Sequence, residues 1–584
     1  MTSPISDKPQ TAVDHRRQRD QALAADRRRI LSLSPEQALD TVLTHPFPVT
    51  LVQSMAEEDL YLLVHTIGLD DALPVLELAS NAQWDYFLDM EVWTRDRIHI
   101  HQLTEWFARL LQADSDRFTH WIVGEQRNTL EFYLFRNIEL HVREYEEDPS
   151  EIGDGFSTED DVHYIRMRPY PTMHKHQEEA RDQFLEDLLR RLSVYDYPLY
   201  RHLLLGSSGV LGPETEEELL RLRNVRLAEK GLLPFEEAVG VYQPLSVPAL
   251  LRRRYKPDNA GGRTVESYPL PVPAADAPMG AGRFAQILAR IQDETTLQRL
   301  QSEFAALCNQ VIVADLQQIR ERESLARVVE KVAGYISIGL EMAEAAADGT
   351  DPYRGANLLQ FHLLGDIFRV GYGRALELKW RADRWRRESW FSRVGLPLSF
   401  WAEAWLGVLG GLLLKKPLCY DNYVTGVLYR EFATLADLQA TESVLERIMA
   451  VDLLLSRMAL EIPRPATEIP VTYQNLILTA WARHALGADS AHTVAAPLPL
   501  SQFRDFFHRL WQQDLEPRRI EECMRQDLID WLAACSGWTT AHIAEHLGPV
   551  VDGLLGRIEA ELGAVVAQDL DPRYLQQLFL LSEQ

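Results

Sequence analysis

The sequence predicts an all-α, or nearly all-α, protein made of two helical halves. Three observations carry that expectation. Apolar residues recur at helical spacing over most of the chain, no strand and helix patterns alternate as in a βαβ unit, and one short stretch alone alternates as a strand does. In "HQLTEWFARLLQ", for example, Leu103, Trp106, Phe107, Leu110 and Leu111 share one helix face.

The bulk numbers set the class. A chain of 584 residues is long for one hydrophobic core and favours two to four domains. Apolar residues make up 46% and charged ones 25%, a soluble globular balance. The net charge of −26 repels phosphate backbones, which argues against nucleic acid as a partner. Four cysteines without a CxxC pair give no disulfide framework, and the arginine-rich N-terminus lacks an apolar signal region. A reducing cytoplasm is the expected compartment.

The elements follow in order. Residues 1–28 read as a flexible polar and basic tail. Residues 29–147 read as a solenoid-like array of helical hairpins, in which "LELASNAQWDYFL" and "LLQADSDRFTHWI" look like copies. Each sets a cap, Ser80 or Asp114, before two aromatics on one face: Trp84 and Phe87, or Phe118 and Trp121. Asp114 follows Ser80 by 34 residues, a helical-hairpin repeat length. Within 148–254 an acidic, turn-rich break precedes "VHYIRMRPY", which predicts at most a short strand pair near 162–170, and helices then resume. Residues 255–282, dense in Pro and Gly, read as a linker or crossover. A helical domain with a central apolar helix is expected over 283–486, and a C-terminal helical segment over 487–584, with a break at 487–501.

Several motifs invite chemistry. "HIAEH", His542 to His546, has the order of an inverted zinc-protease signature. Zinc would need a third ligand on a separate element, but Glu559 and Glu561 fall on the same helix or its continuation, and Gly548-Pro549 should end the motif's helix within a turn. Cys523 and Cys535 are no better as zinc ligands, because twelve helical residues separate their sulfurs by roughly 18 Å. They read as buried free thiols. His163, His174 and His176, beside Glu178 and Glu179, are the remaining metal candidates, although Pro169 and Pro171 make the segment a turn. Phosphate-loop and dinucleotide signatures are absent, and "LLLGSSGVLG" gives Ser207 and Ser208 no support as nucleophiles. No cofactor is expected.

The stretch 379–416 is physically unusual. "KWRADRWRRESWFSR" sets Arg384, Arg386 and Arg387 among Trp380, Trp385 and Trp390, as interaction candidates. It leads into "LPLSFWAEAWLGVLGGLLL", whose only charge is Glu403 and whose Gly407 and Gly411 form a G-x-x-x-G. Burial as a central helix is favoured over docking on a membrane surface, and insertion is disfavoured by Glu403 and the Pro and Gly content.

Four blocks, "EEDLYLLVHTIGLDDALPVLELAS", "WDYFLDMEVWTRDRI", "LRLRNVRLAEKGLLPFEEAVGVYQPL" and "KKPLCYDNYVTGVLYREFATLADLQATESVLERI", resemble an uncharacterised family of large, mostly helical bacterial proteins. The first block is also similar to the cytoplasmic helical superhelix of magnesium transporters, which implies a helix array and not transport. The sequence therefore points to a cytoplasmic, non-enzymatic helical scaffold or regulatory protein with protein partners. The alternatives are a metal-dependent enzyme or sensor using His163, His174 and His176, and peripheral membrane association through 379–414.

Overall fold

A computed structural model of the chain describes residues 21–170, 173–253, 282–346, 354–458, 460, 470–487, 496–512 and 518–581. Residues 1–20 of the tail, 255–281 of the linker and 488–495 of the C-terminal break lie outside them. Among the described residues the fold is all-α with a few short strand pairs and one three-stranded sheet. Two compact units result, one from 1–243, 253–333 and 351–366, the other from 244–252, 334–350 and 367–584. Residues 283–333 thus group with the first unit by contact.

In the first unit, α1 (21–31) precedes α2 (Pro35–Leu43), α3 (Pro48–Gln53), α4 (Glu57–Ile67), α5 (Leu73–Leu78) and α6 (Asn81–Glu91). Proline opens α2 and α3, where the missing N–H has no intrahelical role. Ser80 opens α6: its hydroxyl takes the Gln83 N–H at 3.2 Å, and the Gln83 side-chain oxygen takes the Ser80 N–H at 2.7 Å. A two-residue hairpin pair, β1 (Trp93–Thr94) and β2 (Arg97–Ile98), leads to α7 (Ile100–Ala113) and α8 (Ser115–Gly124). Asp114 opens α8 by accepting the Arg117 N–H at 3.1 Å. Trp84 and Trp121 meet edge to face at 5.5 Å, and both are buried.

Helix α9 (Arg127–Asn137) passes directly into β3 (Ile138–Val142), which pairs antiparallel with β5 (His163–Met167). β4 (Ser157–Thr158) pairs on the other side of β5, so the sheet order is β3-β5-β4. Residues 138–142 thus form a strand and not part of the helical array expected over 29–147. Ile138, Leu140 and Val142 in fact alternate with Glu139 and His141, a strand period that the adjoining helical pattern hid. Four helices follow, α10 (Lys175–Tyr195), α11 (Tyr197–Ser208), α12 (Gly212–Glu229) and α13 (Phe235–Ala238).

The second unit is organised by the helix Leu435–Met458. It packs against Trp390–Val394, Ala402–Leu412, Glu522–Ser536 and Thr540–Leu562 through buried Leu438, Leu445, Ile448, Val451 and Leu455. The apolar run is not the central helix. It breaks into a 3-10 turn, Leu398–Trp401, and the helix Ala402–Leu412, with Ala402 at a left-handed φ of 59°. Its glycines receive a β-hairpin, Cys419–Tyr420 with Tyr429–Arg430. A Cβ on Gly407 would lie 2.4 Å from the Tyr420 ring, and one on Gly411 2.5 Å from the Leu418 carbonyl. Among the described residues no helix is long and apolar enough to cross a membrane.

Pro549 does not end its helix, contrary to expectation. The helix continues through it, from Thr540 to Leu562, because Ile543, Leu547, Val551, Leu554 and Ile558 bury one continuous stripe. That stripe outweighs the roughly 3 kcal/mol an internal proline costs a helix.

Candidate functional site

The histidine candidates divide between two settings. His163 is 1% exposed and its Nδ1 lies 2.7 Å from the Asp160 carboxylate, which also accepts the His163 and Val162 N–H groups and the Tyr197 hydroxyl. Burial would raise the Asp160 carboxyl, but these donors outweigh it and hold it at about 2. His163 is thereby tied into the turn that starts β5. His174 and His176 are exposed, stacked on each other at 5.8 Å, and His174 is the N-cap of α10. Among the described residues no three His, Cys, Asp or Glu side chains gather as a metal site would need.

His542 and His546 stack at 4.3 Å on the exposed side of their helix. Glu559, farther along it, accepts the Ile520 N–H at 2.8 Å and pairs with Arg519 at 2.8 Å. The thiols differ from the expectation. Cys523 is exposed and donates to the Glu521 carboxylate at 3.1 Å, and Cys535 is half-buried, while Cys308 and Cys419 are buried. Cys523 follows the helix start by one residue and falls off the Met524, Leu528 and Trp531 face.

The Trp-Arg segment is dispersed by its helix. Trp385 is buried and its indole N–H donates to Asp452 at 3.3 Å, while the same carboxylate takes the Trp390 and Phe391 N–H groups at 3.2 and 2.9 Å. Trp390 is half-buried and Trp380 is 47% exposed. Arg384, Arg386 and Arg387 are exposed. One indole of the three therefore faces solvent with the arginines.

A feature with the shape of a binding site lies on α12. Its inner face is polar and tied down. Glu216, 4% exposed, accepts the Ile98 N–H at 2.9 Å and Arg97 at 2.7 Å. Arg226 grips Asp89 with two bonds of 2.7 Å, Arg223 donates to the Asp89 carbonyl at 2.8 Å, and Lys230, just past the helix, reaches Glu57 at 2.6 Å. Leu219 and Leu227 fill the core. The outer face carries a second apolar set. Leu220, Val225 and Ala228, with Leu233 and Pro234 from the following turn, floor an open groove of about 850 Å³. Glu214, Glu217, Glu218 and Glu237 stand in its walls with a single cation, Arg221. Val225 is 55% and Leu233 39% exposed, although both are apolar. No motif marks this groove. Its signal was present in the sequence: leucine and valine at 220, 222 and 225 fall outside the 219 and 227 stripe.

Behind α12 sits a group of buried acids. Glu91 accepts from the Tyr61 hydroxyl and from Arg320, at 2.6 Å, with His65 Nε2 at 3.2 Å. Burial would raise the Glu91 carboxyl, but these groups outweigh it and keep it at about 2. Glu58 is the opposite case. Burial pushes its carboxyl up to about 7, with its own backbone N–H and Lys230 only partly opposing. The adjoining cavity, about 30 Å³ between Glu58, Tyr86 and Asn309, is the size of one water and not of a substrate.

No curated protein and no solved structure matches the chain, so the likeness to magnesium transporters gains no support. Residues 15–581 match a model described as a family of unknown function, DUF6178. That match spans nearly the whole chain and agrees with the resemblance carried by the four sequence blocks. The chain belongs to the DUF6178 family of unknown function.

Proposed function

We propose that the protein is a cytoplasmic, non-enzymatic helical scaffold or regulatory protein, and that it holds the basic amphipathic helix of a partner protein in the α12 groove. The groove carries this reading. An apolar floor within reach of four glutamates and one arginine complements a helix with leucines on one face and lysines or arginines along its flanks. The inner ion pairs keep α12 fixed, so the surface is formed before the partner arrives, which lowers the entropic cost of binding. Low cysteine content, four in 584 residues, supports a reducing compartment.

Selection from a displayed library of helical peptides tests the proposal. Enrichment of basic amphipathic sequences, lost when Val225→Glu and Leu233→Glu are introduced together, is the expected result. Selected peptides without a charge bias, or equally retained by the variant, contradict it.

A further inference from the structure

The second unit holds a cavity of about 200 Å³ whose chemistry is the reverse of the protein's surface. Its walls contain two arginines, Arg447 and Arg557, and no carboxylate, in a chain of net charge −26. The acids on the same two helices are engaged elsewhere. On Leu435–Met458, Glu442 takes Arg381 at 3.0 Å and also Arg374, Glu446 takes Arg381 at 2.9 Å, and Asp452 takes the backbone at 390 and 391. On Thr540–Leu562, Asp552 takes Arg525 at 2.8 Å, Glu559 takes Arg519, and Glu561 takes the Gln576 N–H at 2.7 Å. Among the described residues neither Arg447 nor Arg557 is in an ion pair.

The remaining wall suits a flat ligand. Trp405 and Tyr473 stack face to face at 4.4 Å and 6°, and buried Gln474 is oriented by the Tyr473 hydroxyl, 3.1 Å from its amide nitrogen. Trp401 is fully buried in the same wall, and its indole N–H has no acceptor. A buried donor without a partner costs on the order of 1–3 kcal/mol, so a ligand oxygen there would be stabilising. Gly553 contributes open space, because a Cβ on it would meet nothing within 4 Å.

We infer that this cavity binds a small organic anion, a carboxylate or phosphate group on a flat apolar body. The two guanidinium forks take the charged end, as arginine forks match both carboxylate and phosphate geometry. The Trp405 and Tyr473 rings take the body, and Gln474 and Trp401 supply directional donors or acceptors. The α12 groove has no part in it.

Isothermal titration calorimetry of the full chain with benzoate, phenyl phosphate, inorganic phosphate and benzylamine tests the inference. At least one aromatic anion should bind saturably, inorganic phosphate more weakly, and benzylamine not at all. Arg447→Met and Arg557→Met should each weaken the aromatic anion by about tenfold or more. Gly553→Leu should block it without lowering the thermal midpoint, since leucine is the better helix former. The two arginines are exposed, so their variants keep the test open if Gly553→Leu fails to fold. Absence of saturable binding by both aromatic anions at millimolar concentration, equal binding of benzylamine, or arginine variants that bind like the parent would overturn the inference.

Discussion

At the scale of single residues, burial decides what an acid does, and Glu58 shows it. Its carboxyl ordinarily titrates near 4.5 but is pushed up to about 7 in the fold. Below the lower value both folded and unfolded chains hold the proton. Between the two values only the folded chain does, so this group's contribution to stability falls as pH rises through that window and stays lost above it. The loss amounts to roughly 3 kcal/mol. Glu58→Gln should therefore stabilise the protein at about pH 8 and not at about pH 5, measured by urea unfolding at both. An equal effect at the two values removes the assignment. None of this was legible beforehand, because "EED" at the start of a helix reads as a solvated first turn, and only tertiary packing buries its last two residues. Cys523 failed for the same reason in reverse: the sequence placed it on the right helix but on the wrong side of it.

Elements were legible where their signal was local. Ser80 and Asp114 open their helices as N-caps, and the aromatics three residues apart face the core. Elements failed where a neighbour's pattern or a distant contact decided. β3 was absorbed into the helix before it, and the helix through Pro549 is kept by core packing that a breaker rule does not weigh. The glycines of the G-x-x-x-G in the apolar run make room for a hairpin, a contact the run itself does not show. Gly407→Val should thus force Tyr420 from its seat and destabilise the protein by about 1–3 kcal/mol, read as a shift in the urea midpoint. A neutral result would mean that the hairpin does not rest there. The inner face of α12 makes a matching prediction. Asp89→Ala should cost about 2 kcal/mol, less than a fully buried pair because Arg226 is 40% exposed. Circular dichroism with urea would detect it, and an unchanged midpoint would release α12 from its clamp.

For the whole molecule, composition spoke to surface chemistry more than to sites. The charge of −26 makes basic partners favourable at long range, and salt should weaken them over a Debye length of about 8 Å. The groove concentrates that charge beside exposed apolar side chains, whereas the arginine-walled cavity escapes it. The groove is local, built from one helix and the turn after it, whereas the cavity joins residues from 401 to 557 by packing, which is why no short motif announced it. Fluorescence anisotropy of a labelled leucine-lysine helical peptide tests the central claim most directly. The protein should bind it with micromolar affinity that falls with added salt, and the Val225→Glu, Leu233→Glu variant should lose it while unfolding at the same urea concentration. Equal binding to the variant, or equal binding of a leucine-glutamate peptide, would contradict the account.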